Sequence, residues 1–228
     1  MDAALCVHPG ADKHLLSGKS LGCAPVDVEF WGKSAHAAAA PEQGINALNA
    51  VIEVFNSINA LRQHLPSDVK IHGIITDGGS VPNTVPDYAK AKFYLRAATA
   101  PVLDEVYRKV ESIVKGAALA TGAKGRMQPY QNRVENMIPT PSFDAVYAKN
   151  LALLGETVAP PEGTVPKGSS DVGNVSQVIP VIQPKISITD RPVAAHSEEM
   201  KEAARSEKGL AAILLGAKAL AYTALDLL

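Results

Sequence analysis

The sequence predicts an α/β chain of the α+β kind. A ferredoxin-like βαββαβ sandwich over residues 25–136 is inserted into a second body drawn from residues 1–24 and 137–228. Three observations predict this. Strand-like and helix-like stretches follow one another in the order of a split βαβ unit. The flanks instead carry short apolar runs and a helix-rich tail. With 228 residues, 46% hydrophobic and 20% charged, the chain has apolar surface enough for one large core or two smaller ones.

Each element has its own signal. VDVEFWG (26–32) alternates apolar and polar residues and stops at Gly32, the pattern of a strand. From Pro41, apolar residues recur at Ile45, Leu48, Ile52, Phe55, Ile58, Leu61 and Leu65, which predicts a helix with Pro41 in its first turn. VKIHGIITDGG (69–79) and PDYAKAKFYLRA (86–97) read as neighbouring antiparallel strands. A second helix runs from Val102 to Thr121 on the face Leu103, Val106, Val110, Ile113 and Val114, and Gly122 ends it. KGRMQPYQNRV (124–134) supplies one more strand.

Outside the sandwich, FDAVYAKNLALLG (143–155) predicts a short helix, APPEGTVPKGSSD a loop, and VIPVIQPKISI (178–188) an apolar stretch. Helices follow from His196 to the end. So few strands suggest a fragment of a larger domain.

Composition narrows the function. The net charge of -1 arises from 22 basic and 23 acidic residues without blocks of one sign, so neither nucleic acid nor an anionic membrane is an expected partner. Cys6 and Cys23 are too few for a disulfide scaffold and lack zinc-finger spacing. MDAALCVHPGADKH reads as neither a signal peptide nor a membrane span. A cytoplasmic location is expected.

Several polar residues have two readings. His8 in ALCVHPG stands where a buried strand would emerge, as a ligand or simply as a strand-end histidine. His196 precedes a helix with Ser197 as a candidate cap and Glu199 in the first turn. His36, in GKSAHAAAAPEQGINAL, lies in the loop before the first helix and could merely close a turn. DGGSVPN (77–83) is a turn in which Asn83 could serve only its own backbone, and Arg96 near a strand end could be a solvated charge. GSSDVGNVS (168–176) has a composition common to ligand loops and ordinary ones. His14, His64 and His72 have no companions and read as structural.

Taken together, DAALCVHPG, GKSAHAAAAPEQGINALNAV, HGIITDGGSVPNTVPDYAKAKFYLRA, GSSDVGNVSQVIP and AHSEEM resemble the dinuclear zinc family of aminoacylases, carboxypeptidase G and auxin-conjugate amidohydrolases. The nearest part of it is the cytosolic β-alanyl-lysine dipeptidase branch. The resemblance implies a partial zinc-peptidase catalytic domain carrying a lid that dimerises. It implies hydrolysis of the amide of an N-acyl amino acid or unusual dipeptide, with two divalent metals, zinc by family habit, activating a water.

By the same resemblance His8 and His196 match metal ligands, one for each ion. His36 matches a lid histidine that reaches the partner subunit's site and stabilises the oxyanion. Asn83 and Arg96 match substrate contacts, the latter for a carboxylate. Gly79, beside Gly78, would allow close approach, and Asp171 and Asn174 match a loop lining the cleft.

The chain departs from the family in one respect. The first metal motif and the Glu-Glu pair supplying base and ligand lie, in the family, upstream of the stretch matching DAALCVHPG. Two imidazoles cannot hold two zincs. The chain alone is therefore expected to be inactive and to bind metal weakly, as the C-terminal portion of a hydrolase. The alternative is a non-catalytic dimerising relative that retains the lid. A homodimer through the lid is expected in either case.

Overall fold

The computed structural model describes residues 2–161, 163 and 168–228. The chain divides into two compact units, Leu21–Asn136 and the flanking residues up to Ser20 and from Met137. The predicted loop APPEGTVPKGSSD lies partly outside the described residues.

The flanking unit opens with two short strands, β1 (Ala4–Leu5) and β2 (His8–Gly10). The sandwich follows as β3 (Gly22–Trp31), α1 (Ala47–Arg62), β4 (Lys70–Asp77), β5 (Tyr88–Ala97), α2 (Ala100–Thr121) and β6 (Lys124–Pro129). Its sheet order is β4-β5-β3-β6 with every pair antiparallel, the ferredoxin-like arrangement. Val26, Val28 and Phe30 of β3 and Phe93 and Leu95 of β5 face the two helices in one core. Ala89, Ala91 and Ala97 on the same side of β5 keep that surface low, so the helices can approach closely.

The first helix differs from its prediction. Pro41 opens only a 3₁₀ turn, Pro41–Gln43, and the α-helix begins at Ala47. Asn46 caps it by accepting from the Asn49 N–H at 3.0 Å. The buried face is Ala47, Ala50, Val51, Val54 and Ile58, whereas Ile52 is 41% exposed. At about 100° per residue Ile52 falls outside that arc, whereas Ile45, Leu48, Phe55 and Leu65 of the predicted stripe are partly buried and pack against the core beside it. Asn46→Ala is expected to cost about 1 kcal/mol, seen as a lower denaturant midpoint.

The second helix keeps its predicted face, with Ala117 buried and Ile113 only partly so. Gly122, at φ 75°, ends it.

β3 also differs from a half-exposed strand. It is buried on both faces except at Trp31, because it lies between β5 and β6 with charged neighbours over its polar side. Lys90 reaches Asp27 at 2.5 Å, and Glu29 accepts from Arg126 at 2.8 Å and from the Tyr88 hydroxyl at 2.8 Å. The Arg126 hydrogen bond holds the Glu29 carboxyl below the ordinary value of 4.5, opposed by burial and helped by Tyr88 and Lys90.

A depressed carboxylate stabilises fully above its unfolded-state value and loses that contribution as pH falls through its folded-state value. Acid titration of unfolding stability is therefore expected to show a loss beginning near pH 4.5 that Glu29→Gln flattens. An unchanged acid limb would contradict this.

In the flanking unit β1 pairs with β7 (Val181–Ile182) and β2 with β8 (Lys185–Ser187), both in parallel. The predicted apolar stretch 178–188 thus becomes two strand segments, broken around Pro184. α3 (Pro141–Leu153) and α4 (Val172–Ser176) come before them, and the tail forms α5 (Glu198–Ala204) and α6 (Glu207–Leu225). Ser197 and Ser206 cap the two tail helices through Met200 N–H and Gly209 N–H. Phe143, Tyr147 and Leu151 of α3, Ile182 and Ala219 form the second core.

Candidate functional site

His36 is held by backbone on both sides. Lys33 and Ile45 exchange N–H···O bonds at 2.9 Å, Val85 N–H donates to Ala35 O at 2.9 Å, and Ala37 N–H donates to Asn83 O at 3.0 Å. The loop after β3 is thereby laced to the segment before β5, and His36 itself bridges Thr84. Its Nδ1 accepts from Ala38 N–H at 3.2 Å and Ala39 N–H at 3.1 Å. Nδ1 must be unprotonated to accept, so the neutral ring carries its proton on Nε2. The exposed side chain therefore closes a turn with one nitrogen and offers a donor with the other.

Gly79 and Asn83 share this end of the sandwich. Gly79 adopts φ 98° and donates its N–H to Asp77 Oδ1 at 3.1 Å. A Cβ there would come within 2.9 Å of Pro86 Cγ, so a side chain is excluded twice over.

Arg96 is elsewhere. It sits opposite Cys23 of β3 and Lys70 of β4, whereas the His36 loop leaves the sheet beyond Trp31, which is opposite Tyr88. Eight residues of strand separate Tyr88 from Arg96, about 26 Å at the usual rise. The Arg96 guanidinium lies 5.2 Å from the Tyr94 ring centre.

In the flanking unit His8 is exposed at the start of β2, with Nδ1 2.8 Å from Pro9 O. A carbonyl only accepts, so Nδ1 is the protonated nitrogen and Nε2 keeps its lone pair, the tautomer a metal ligand needs. His196 is exposed and has φ 61°, the one non-glycine positive φ among the described residues. Such strain is held only where surroundings impose it, here a chain entering the Ser197 cap. Glu198 and Glu199 fall in the first turn of α5, Glu198 paired with Lys201 and Glu199 with Arg191. Asp171 immediately precedes α4 and Asn174 lies within it; both are exposed, and Asn174 N–H donates to Asp171 O at 2.9 Å.

Among the described residues no group of three or more His, Cys, Asp or Glu side chains is placed to hold a metal ion. His8 has suitable chemistry, but the ligands present do not fit a metal pair.

His14 reads as structural in the sequence, yet it lines a cavity of about 700 Å³ with Asp12, Glu156, Ser187 and Lys208. Its Nδ1 accepts from Ser187 N–H at 3.2 Å and its Nε2 lies 3.4 Å from Glu156 Oε2. No local pattern marks this, because Glu156 and Ser187 are far from it in sequence.

Fold and site together define a chain in which a βαββαβ sandwich interrupts a parallel α/β unit bearing exposed histidines at strand and helix ends. Residues 20–122 match the peptidase dimerisation domain of the M20 peptidases. Mus musculus Xaa-Arg dipeptidase is 37% identical over 206 residues, 89% of this chain and 47% of that protein. One of the subunits of Escherichia coli p-aminobenzoyl-glutamate hydrolase is 34% identical over 122 residues, 53% of this chain and 25% of that one. The crystal structure of an aminobenzoyl-glutamate utilization protein from Klebsiella pneumoniae superposes with TM-score 0.77 at 19% identity, covering 99% of this chain and 55% of that one. The chain is homologous to amide hydrolases of the M20 peptidase family, whose peptidases are typically metal-dependent, and carries that family's dimerisation domain. It spans about half the length of the Xaa-Arg dipeptidase it matches.

Proposed function

We propose that this chain is the lid-bearing portion of a cytoplasmic, dinuclear-zinc amide hydrolase that acts as a homodimer on an N-acyl amino acid or dipeptide. The similarity to an Xaa-Arg dipeptidase favours the dipeptide. The observation that carries the reading is the His36 ring, fixed through Nδ1 with Nε2–H turned outward in a dimerisation domain. Such a donor can bind the oxygen that gains charge as an amide carbonyl is attacked.

Arg96 would hold the substrate carboxylate with its planar fork. It stands at the opposite end of the sheet from His36, too far for one small substrate to touch both within a single sandwich. Two copies resolve this, Arg96 serving its own subunit's site and His36 with Asn83 serving the partner's. Gly79 lets that loop approach, and Asp171 and Asn174 line the cleft. His8 and His196 would each supply an imidazole to one metal. Bound metal would polarise the carbonyl and supply hydroxide near neutrality, but further ligands must come from outside this chain. Cys6 and Cys23 are free thiols, in keeping with a reducing compartment.

The test compares this chain with a version extended to the length of its relatives. The chain alone is expected to hold far less than one zinc per molecule by elemental analysis and to cleave no dipeptide. The extended form is expected to hold two zincs and turn over. Tight zinc and hydrolysis by the short chain would overturn the reading, and an extended form that dimerises without turnover would favour a non-catalytic relative.

A further inference from the structure

The sheet of the sandwich carries helices on one face, and strand alternation turns Lys92, Tyr94 and Arg96 of β5 to the other. Register sets their neighbours there. Lys70 lies opposite Arg96, His72 opposite Tyr94, and Asp27 opposite Lys92. Tyr130, just past β6, adds a ring centred 6.1 Å from that of Tyr94.

Charge is spread unevenly over this face. The four strands hold only three carboxylates, Asp27, Glu29 and Asp77, and each is already engaged. Lys90 reaches Asp27 at 2.5 Å, Arg126 reaches Glu29 at 2.8 Å, and Asp77 accepts from Gly79 N–H at 3.1 Å. The acid opposite Lys92 in register is thus turned to another lysine, and the Lys92 ammonium lies over the Tyr130 ring, 4.5 Å from its centre. Among the described residues no carboxylate comes within ion-pair reach of Lys92 or of Lys70, whose Nζ donates to Ser67 O at 2.8 Å.

Positive charge therefore dominates the end of the face around Arg96. Lys70 and Arg96 stand directly opposite each other, a like-charge pairing that costs stability in a sheet. Partial burial, then Arg96 and Arg62, hold the His72 imidazole below its ordinary value of 6.5. The Tyr94 and Tyr130 rings could have offered a cation their faces, but Arg96 and Lys92 already lie over them. A second cation would meet only repulsion here, whereas an anion meets ammonium and guanidinium groups.

We infer that this half of the sheet face is a subsite for a dianion, Arg96 taking one carboxylate and Lys92 the other, so that the carboxylate-bearing amino acid has an acidic side chain. The inference rests on the hydrolase reading for its ligand and names the side chain that the ligand carries. Arg96 and Lys92 are four residues apart on one strand, about 13 Å between Cα atoms. Both side chains are long, and they reach toward each other over Tyr94, so an acid of glutamate length can meet both. Lys70, beside Arg96, adds attraction for either negative group.

The experiment follows backbone amide shifts of the full chain by NMR at fixed ionic strength, because salt screens exposed charges. The probes are N-acetyl-L-glutamate, N-acetyl-L-glutamine and N-acetyl-L-arginine. The glutamate compound is expected to bind about tenfold more tightly than the glutamine compound, which has its shape without the second charge, and to shift residues 70–72 and 92–96. The arginine compound is expected to bind most weakly. Lys92→Met keeps an unbranched side chain without the ammonium and is expected to erase the preference for glutamate over glutamine, whereas Lys92→Arg is expected to keep it. Equal affinity for those two probes, tighter binding of the arginine compound, shifts confined to other residues, or a preference that survives Lys92→Met would each overturn the inference. Dipeptide cleavage by the extended protein is read separately. A glutamate preference in binding with no cleavage counts against the hydrolase reading alone, and faster cleavage of alanyl-arginine than of alanyl-glutamate counts against the subsite alone.

Discussion

Changing His36 to alanine in the extended protein is expected to lower kcat about 100- to 1,000-fold with KM nearly unchanged. On the proposed role the effect falls on kcat, because the Nε2–H donor would meet charge that develops only as the carbonyl is attacked. Two further substitutions separate this from damage to the loop. In His36→Asn the amide oxygen can replace Nδ1 and keep the Ala38 and Ala39 N–H bonds, so the loop stays intact while activity is expected to stay low. His36→Gln puts an amide donor near the Nε2 position and is expected to recover part of the rate. A hybrid of His36→Ala and His196→Ala subunits should regain partial activity if the histidine serves across the dimer. Full activity in His36→Asn, or no rescue in the hybrid, would remove His36 from that role.

Phe93→Ala is expected to cost about 3–5 kcal/mol, the largest stability effect anticipated for a single change. The ring is 1% exposed, lies 4.8 Å from the Phe55 ring and sits opposite Gly73 on β4. That glycine is the notch that accepts it, since a Cβ on Gly73 would come within 2.3 Å of Phe93 Cδ1. Gly73→Ala alone should therefore cost about 1–3 kcal/mol by overpacking. The double variant should cost less than the sum, because removing the ring relieves its clash with the added methyl, leaving only that methyl's 2.6 Å approach to Lys92 O. Strict additivity in urea unfolding would show that the two positions do not share that space.

The sandwich was legible because its signals are local. Alternation at 26–32 and 86–97, the apolar spacing of 102–121 and the stop at Gly122 each depend on neighbours a few residues away. The first helix misled only in part: Ile58 is buried and Leu48, Phe55 and Leu65 pack against the core, but Ile52 does not, and alanines and valines fill the face nearest the sheet. Nothing near Ile52 announces that. The strand β3 likewise reads as half exposed until β5 and β6 bring Lys90 and Arg126 over Asp27 and Glu29.

The candidate site divides in the same way. The residue types and their order pointed to a metal hydrolase, and the homology to amide hydrolases agrees with the hydrolase part of that reading. Spacing along the chain could not reveal that His36 and Asn83 share one end of the sheet while Arg96 stands at the other, nor that His14 meets Glu156 and Ser187 beside a cavity.

The order βαββαβ, the helix stop at Gly122, the caps before the tail helices and the family could all be read from the residues in line. Each is written in short-range periodicity or in a motif. Long-range contacts settled the rest: which side of α1 faces the sheet, that β3 lies between β5 and β6, and that His36 and Asn83 share one end of the sheet while Arg96 stands at the other. Those depend on which distant backbone atoms come within hydrogen-bond or van der Waals reach, and chain folding alone sets that.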